Sequence, residues 1–278
     1  MSIENEVAAH YTSGTLLNRI LEVLAGGGID VERLAPDDLA PIEEFHIGGR
    51  AATAELAAQL GLKPGMRVLD VGSGIGGAAR YLARAQGCRV LGIDLTPEFV
   101  AVANELARRV GLADAVSYRQ GSALAIDVPP ASFDAATMLH VGMNIEDKAA
   151  VFASVRKALK PGGLFGVFDI MRVGAGELTF PVPWSSKPET SFLAAPAAYR
   201  RALEAAGFAM VQERDRRSYS LDYFREMKAK AEAAAADGKP FLGNHLIMGA
   251  DFPQKLAHAR EAIERGDIAP FEMIARAA

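Results

Sequence analysis

Five short β-rich runs in the middle of the chain each give way to a helix-length segment, and this alternation limits the fold more than any other feature. The runs are Met66 to Val71, Cys88 to Asp94, Val116 to Gln120, Phe133 to Leu139 and Leu164 to Ile170. Gly76 to Arg84 and Asp147 to Leu159 read as helices between them. Phe99, Val102, Ala103, Leu106 and Val110 recur at helical spacing after Pro97, a residue suited to a first helical turn. Strands alternating with helices imply βαβ units and a mostly parallel, doubly wound α/β sheet. Phe133 to Leu139 is apolar almost throughout, as expected of a strand covered on both faces.

The rhythm loosens after Ile170. Residues 172 to 192 carry Pro181, Pro183, Trp184 and Pro188 without a repeating pattern, and a loop of that length reads as a lid over a site. Pro196 to Ala206 is helical, Phe208 to Arg214 is a sixth strand and Ile268 to Ala275 a seventh. A helical insert, about 219 to 265, separates the last two strands, and the first 60 residues are helical as well. The expected organisation is a single domain over 1–278: a helical cap (1–60), a ligand-binding core (61–171), then lid, remaining strands and insert (172–278).

Residues 68 to 80 read VLDVGSGIGGAAR, with Gly72, Gly74 and Gly77 at the G-x-G-x-x-G spacing of a nucleotide-binding turn. Glycines admit a ligand close to the backbone whatever that ligand is, so the flanking acids carry the discrimination. Asp94 ends the second strand about 20 residues further on, where a carboxylate accepts from ribose hydroxyls. Both NAD and S-adenosylmethionine satisfy that position. Asp70 separates them: a carboxylate at the mouth of the turn repels a pyrophosphate but attracts the ammonium and sulfonium of S-adenosylmethionine, by about 1 to 4 kcal/mol in partly excluded solvent.

The remaining composition narrows the field. A net charge of -4 argues against a nucleic-acid partner, and Arg214-Asp-Arg216-Arg217 reads as a solvated strand end. No apolar stretch reaches membrane-span length, and the acidic start MSIENEVAAHY is unlike a signal peptide, so a soluble, cytoplasmic protein is expected. The lone Cys88 excludes an internal disulfide, and His10, His46, His140, His245 and His258 lack ligand spacing, so no metal is expected.

VLDVGSGIGGAAR, GIDLTPEFV, FDAATMLHV and RKALKPGG occur in the order found in class I S-adenosylmethionine-dependent methyltransferases, which this chain resembles over about residues 60 to 170. The flanks HY…GG, FHIGGRAATAELA and REAIERGDIAPFEMIARA resemble the glycine, sarcosine and dimethylglycine methyltransferases, and less closely the ubiquinone and phosphoethanolamine enzymes. The resemblance implies a Rossmann-like seven-stranded sheet whose last strand is antiparallel. It places Asp70, Gly72, Ser73, Gly74 and Gly77 around the methionine part of the cofactor, and Asp94 and Leu95 at its ribose and adenine. Gly121, Ser122 and Ala123 flank the adenine, Met138, Leu139 and His140 close the pocket, and Gly49 allows close approach.

A sulfonium methyl is already activated, so the protein has only to hold donor and acceptor in line in a dry site. That accords with a sequence lacking triad or zinc signatures. His140 is the candidate general base, or else a pocket-lining residue. Asn144 is a candidate for orienting the acceptor or capping a turn, and Tyr11 for placing its hydroxyl near the methyl group or packing in the core. Trp184 lines an acceptor pocket or anchors the lid, and Glu43-Glu44 attracts a cationic amine or forms a solvated charged face. The expected activity is methyl transfer to a small molecule, with S-adenosylhomocysteine as product and N-methylation of a small amine favoured by the flanks. The alternatives are C- or O-methylation of a lipophilic quinone- or polyketide-like ring, an NAD-dependent oxidoreductase, and a non-catalytic cofactor sensor. The protein is a monomer or a homodimer on this reading.

Overall fold

The computed structural model describes residues 2–238 and 240–278. Helices α1 (Ile3–Tyr11), α2 (Leu16–Gly26) and α3 (Gly49–Gln59) precede a regular alternation: β1 (Arg67–Val71), α4 (Gly77–Gln86), β2 (Arg89–Asp94), α5 (Pro97–Arg109), β3 (Val116–Gln120), β4 (Phe133–Leu139), α6 (Lys148–Ala158) and β5 (Leu159–Arg172). After an irregular stretch come α7 (Pro196–Ala205), β6 (Phe208–Asp215), α8 (Arg217–Ala236), α9 (Phe252–Arg265) and β7 (Ile268–Ala277). Each strand expected from the sequence is present. The fifth is longer than expected because pairing with β4 starts at Leu159, ahead of the Lys160-Pro-Gly-Gly segment.

The seven strands form one sheet in the order β3-β2-β1-β4-β5-β7-β6. β1 to β5 pair in parallel, and β7 inserts antiparallel between β5 and β6. β1 and β4 are neighbours whose onward connections run in opposite directions. This is the switch point where open α/β sheets leave a crevice beyond the strand ends.

Both faces of the sheet are covered. Leu69, Val71, Phe165 and Met273 pack against Phe152 and Val155 of α6 and Tyr199 and Leu203 of α7. Val68, Val90 and Ala135 pack on the other side against Leu56 of α3, Leu82 of α4 and Ala103 of α5. A third cluster joins Ile20 and Leu24 of α2 to Phe99, Val102 and Leu106 of α5, so the N-terminal helices are fastened to the sheet rather than standing apart.

The basic run at the end of β6 is paired and partly buried rather than simply a solvated end. Arg214 Nη2 lies 2.6 Å from Glu272, and Arg216 is buried, pairs with Glu55 at 2.7 Å and stacks on the Tyr219 ring at 4.0 Å. Its acids come from β7 and α3, too far along the chain to be seen as partners in the sequence. Among the described residues no helix is long and apolar enough to cross a membrane.

Phe152 is fully buried between Phe165 and Tyr199. Phe152→Ala should therefore cost about 3 to 5 kcal/mol, read as a lower urea midpoint with an unchanged slope.

Candidate functional site

A cavity of about 340 Å³ opens beyond the carboxyl ends of β1, β2 and β4. α1 lies across it as a strap. Glu4 accepts from the Ser122 hydroxyl, Glu6 pairs with Lys187 at 2.6 Å, and the His10 Nε2 is 3.4 Å from the Pro183 carbonyl. The Glu98 carboxylate holds the turn after α1 by accepting from the backbone N–H groups of Ser13, Gly14 and Leu16 at 2.6 to 2.9 Å. The far wall comes from the irregular stretch after β5 and from α8 and α9.

The floor is the glycine turn. Gly72 sits at φ +70, a region that side chains disfavour, and its N–H donates 2.7 Å to the Ile93 carbonyl, tying β1 to β2. Gly74, at φ +54, has only the Phe45 ring within 4 Å of the place a Cβ would take, so the space above it is free for a ligand. Gly77 is a glycine for another reason. A Cβ there would stand 2.6 Å from the Glu43 carbonyl and 2.7 Å from Glu44 Cγ, so its absence lets the 43–44 segment close onto the turn.

Two carboxyl groups border this floor. Asp94 accepts from Gly74 N–H and Thr96 N–H, both at 2.8 Å, and lines the cavity. Asp70 accepts from the Thr137 hydroxyl at 2.8 Å through one oxygen, while the other is buried without a partner. Burial pushes the Asp70 carboxyl up to about 7 and raises that of Asp94 as well.

The Glu43-Glu44 pair corrects the expectation of a solvated face, since both side chains are buried. Glu43 bridges Arg50 at 2.6 Å and Arg80 at 2.8 Å. Glu44 accepts from the Thr53 hydroxyl and lies 3.3 Å from His46 Nε2. Burial raises Glu44 to about 8 and holds His46 down at about 4, so at neutral pH this contact joins two neutral groups and is not an ion pair. His46 Nε2 is 3.1 Å from the Gly49 carbonyl, which can only accept, so that nitrogen carries the proton.

The three candidate catalytic residues converge on the cavity. The Tyr11 hydroxyl donates 3.2 Å to the Asn144 side chain, whose Nδ2 donates 2.7 Å to the Trp184 carbonyl. Strap, β4 loop and lid are thereby joined in one chain of hydrogen bonds. Trp184 is buried, lines the cavity, and donates from its indole to the Ser191 hydroxyl at 2.9 Å, so it both lines and anchors. His140 takes a left-handed backbone (φ +53), a strain of order 1 kcal/mol held by its N–H bond of 2.7 Å to the Phe168 carbonyl. Its Nε2 is buried and unpartnered, and burial, with nearby His46 adding to it, keeps its pKa well below the usual imidazole range.

Of the residues assigned to cofactor binding, Asp70, Gly72, Ser73, Gly74, Gly77, Asp94, Leu95, Gly121, Ala123, Leu139 and His140 line the cavity. Three do not. Met138 is fully buried among core side chains, because alternation along β4 turns it to the face opposite Leu139. The Ser122 hydroxyl is spent on Glu4 and on capping Leu124 N–H. Gly49 stands at the start of α3 outside the wall, where its N–H donates to the His46 carbonyl and its own carbonyl accepts from the His46 ring. Sequence reasoning missed the apolar arm built by Ile47, Met143, Ile170, Phe252, Leu256 and Ile263. Phe252, Leu256 and Ile263 recur at helical spacing on α9, which marks a buried stripe without saying that it faces a cavity, and Ile47, Met143 and Ile170 come from three separate segments.

Glu4, Glu43, Glu44, Asp70, Asp94, Glu146 and Asp147 line the cavity, and among the described residues no lysine or arginine does. A diphosphate would meet carboxyl groups and no counter-charge. S-adenosylmethionine fits this lining. Its ribose hydroxyls are donors that suit the Asp94 carboxyl group, and its cationic methionine end suits the unpartnered Asp70 oxygen.

Comparison with known proteins agrees. Residues 69–167 match the family model described as a methyltransferase domain. The sterol 24-C-methyltransferase ERG6B of Gibberella zeae is 38% identical over 114 residues, 41% of this chain but only 30% of that relative's length. The crystal structure of the [4+2]-cyclase SpnF aligns over 99% of this chain and 96% of its own, at 26% identity and a TM-score of 0.68. Geranyl diphosphate C-methyltransferase of Streptomyces coelicolor aligns over 100% and 98% at 17% identity with a TM-score of 0.71, a likeness of fold.

Asp94→Ala should weaken S-adenosylmethionine binding about tenfold to a hundredfold, because a charged acceptor for two hydroxyls is lost. Titration calorimetry checks this, and an unchanged dissociation constant contradicts the assignment.

Proposed function

We propose that this chain, whose core is a class I S-adenosylmethionine-dependent methyltransferase domain, transfers a methyl group from that donor to a small acceptor with an apolar body. One observation carries the reading: a single cavity joins an acidic floor lacking lysine and arginine to an arm walled by Ile47, Met143, Ile170, Trp184, Phe252 and Ile263.

The donor supplies a methyl group already activated by a positively charged sulfur. The chain's own task is to position and to exclude water. Asp94, Gly74 and the turn fix the nucleoside end, Asp70 faces the cationic end, and the Tyr11–Asn144–Trp184 bridge closes the cavity above both. Alignment of two reactants in a dry site contributes on the order of 7 kcal/mol or more to such a displacement. His140 is neutral at physiological pH and offers its unpartnered ring nitrogen to the acceptor's hydrogen-bonding group.

The acceptor side selects against phosphorylated molecules for the same reason the floor selects against a dinucleotide. Acceptors with an apolar body appear in the names of similar proteins, a sterol and geranyl diphosphate, and the second carries a diphosphate for which this lining offers no lysine or arginine among the described residues. N-methylation of a small amine is the second reading. It rests on the flanking motifs and on Trp184, Phe224 and Phe252, aromatic faces able to attract an ammonium.

Production of S-adenosylhomocysteine across a panel of phenols, isoprenoid alcohols and polyketide-like rings, run beside a panel of small amines, separates the two. Turnover with the apolar panel is expected, and turnover confined to amines selects the second reading. Trp184→Ala should raise the acceptor KM about tenfold, the equivalent of one lost apolar contact surface, while donor affinity stays within about twofold. Equal loss of both would place Trp184 at the donor instead.

A further inference from the structure

Two buried carboxyl groups in the cavity wall each keep one oxygen without a partner. Glu44 uses Oε2 on the Thr53 hydroxyl and leaves Oε1 unpaired, and Asp70 uses Oδ1 on Thr137 and leaves Oδ2 unpaired. Their exposures are 5% and 1%, and both line the cavity. The missing Cβ of Gly77 lets Glu44 sit against the very turn that Asp70 begins. An isolated carboxylate is costly in such a place and holds its proton until a cation arrives.

Among the described residues no lysine or arginine makes a hydrogen bond or ion pair with either group. Glu44 faces Glu43 and His46 from its own segment, Arg50 and Thr53 from α3, Arg80 from α4, Asp70 from β1 and Tyr223 from α8. Arg50 and Arg80 both point their guanidinium groups at Glu43, at 2.6 and 2.8 Å. Asp70 faces Asp94 from β2, Tyr118 from β3 and Thr137 from β4, none of them cationic.

We propose that Glu44 acts with Asp70 as a charge-matched pair for the methionine end of the donor: the cationic donor displaces protons from the pair to solvent, so the cavity holds the sulfonium form more tightly than the thioether product. The inference rests on the S-adenosylmethionine reading above and adds to it a residue, a proton count and a discrimination between substrate and product. When the carbon–sulfur bond breaks, sulfur keeps the electron pair and becomes neutral. The pair then regains a proton, and its attraction for the spent cofactor falls. Both carboxyl groups are protonated more readily in the empty protein than when facing a cation, so donor affinity rises with pH between about 6 and 8 and levels off above. One released proton corresponds to about tenfold in affinity per pH unit within that window. The thioether product, lacking the sulfonium, follows a shallower slope.

Titration calorimetry of the full chain at pH 7, in phosphate and in Tris, counts the protons released with S-adenosylmethionine and with S-adenosylhomocysteine. The wild-type protein is expected to release about half a proton to one proton more with the donor than with the product. Glu44→Gln is expected to bind the donor with at least half of that excess gone. Heats that are equal in the two buffers for the wild type overturn the proposal without recourse to any variant, and so does a Glu44→Gln protein releasing as many protons as the wild type. Absence of donor binding in either buffer refutes instead the reading of the cavity on which the proposal rests.

Discussion

Buried carboxyl groups without an ion-paired cation are the constraint on which the rest of this structure depends. At the carboxyl ends of β1 and β2, Asp70 and Asp94 are withdrawn from water, and the cavity they border is lined by no lysine or arginine among the described residues. The protein does have cations nearby, but Glu43 occupies Arg50 and Arg80 behind the wall. A polar site arranged this way stays neutral by holding protons, and it is completed by a ligand that brings positive charge. The same arrangement is hostile to phosphate.

The covering elements turn that floor into an enclosed reaction space. α1 is short and few of its residues are buried, so its place over the cavity depends on contacts at both ends: Glu98 clasping the turn after it, and Lys187, Pro183 and Asn144 receiving Glu6, His10 and Tyr11. Elements held by a few polar contacts open at lower free energy than a packed core. The strap is thus expected to open at lower free energy than the packed sheet beneath it. On the proposed reading, the apolar arm between the lid, α8 and α9 selects what enters beside the donor.

Much of this was legible in the sequence because it follows from local rules. The apolar run Phe133 to Leu139, the glycines after Val71 and the acid closing Cys88 to Asp94 identified the strands, the turn and a carboxyl group at the cavity directly. The misses have a common physical cause in partners distant along the chain. Glu43 and Glu44 look like a solvated pair until Arg80 and Thr53 are brought to them, and Arg216 looks exposed until Glu55 and Tyr219 arrive. Tyr11, Asn144 and Trp184 were each singled out alone, yet nothing in a sequence shows that they form one hydrogen-bonded chain across three segments. Met138 was misplaced by a single residue, enough to turn a side chain from the cavity to the core on a pleated strand. The apolar arm was hidden because the α9 stripe reads alike whether it faces a cavity or a core, and because Ile47, Met143 and Ile170 reach it from segments far apart in the chain.

The central claim is that this cavity accepts a cationic sulfur donor and refuses a diphosphate. Competition binding observed by native mass spectrometry, with S-adenosylmethionine and NADH offered together at equal concentration, tests it most directly. The account predicts a one-to-one complex with S-adenosylmethionine and none with NADH; a stable NADH complex that excludes the sulfonium compound would contradict it.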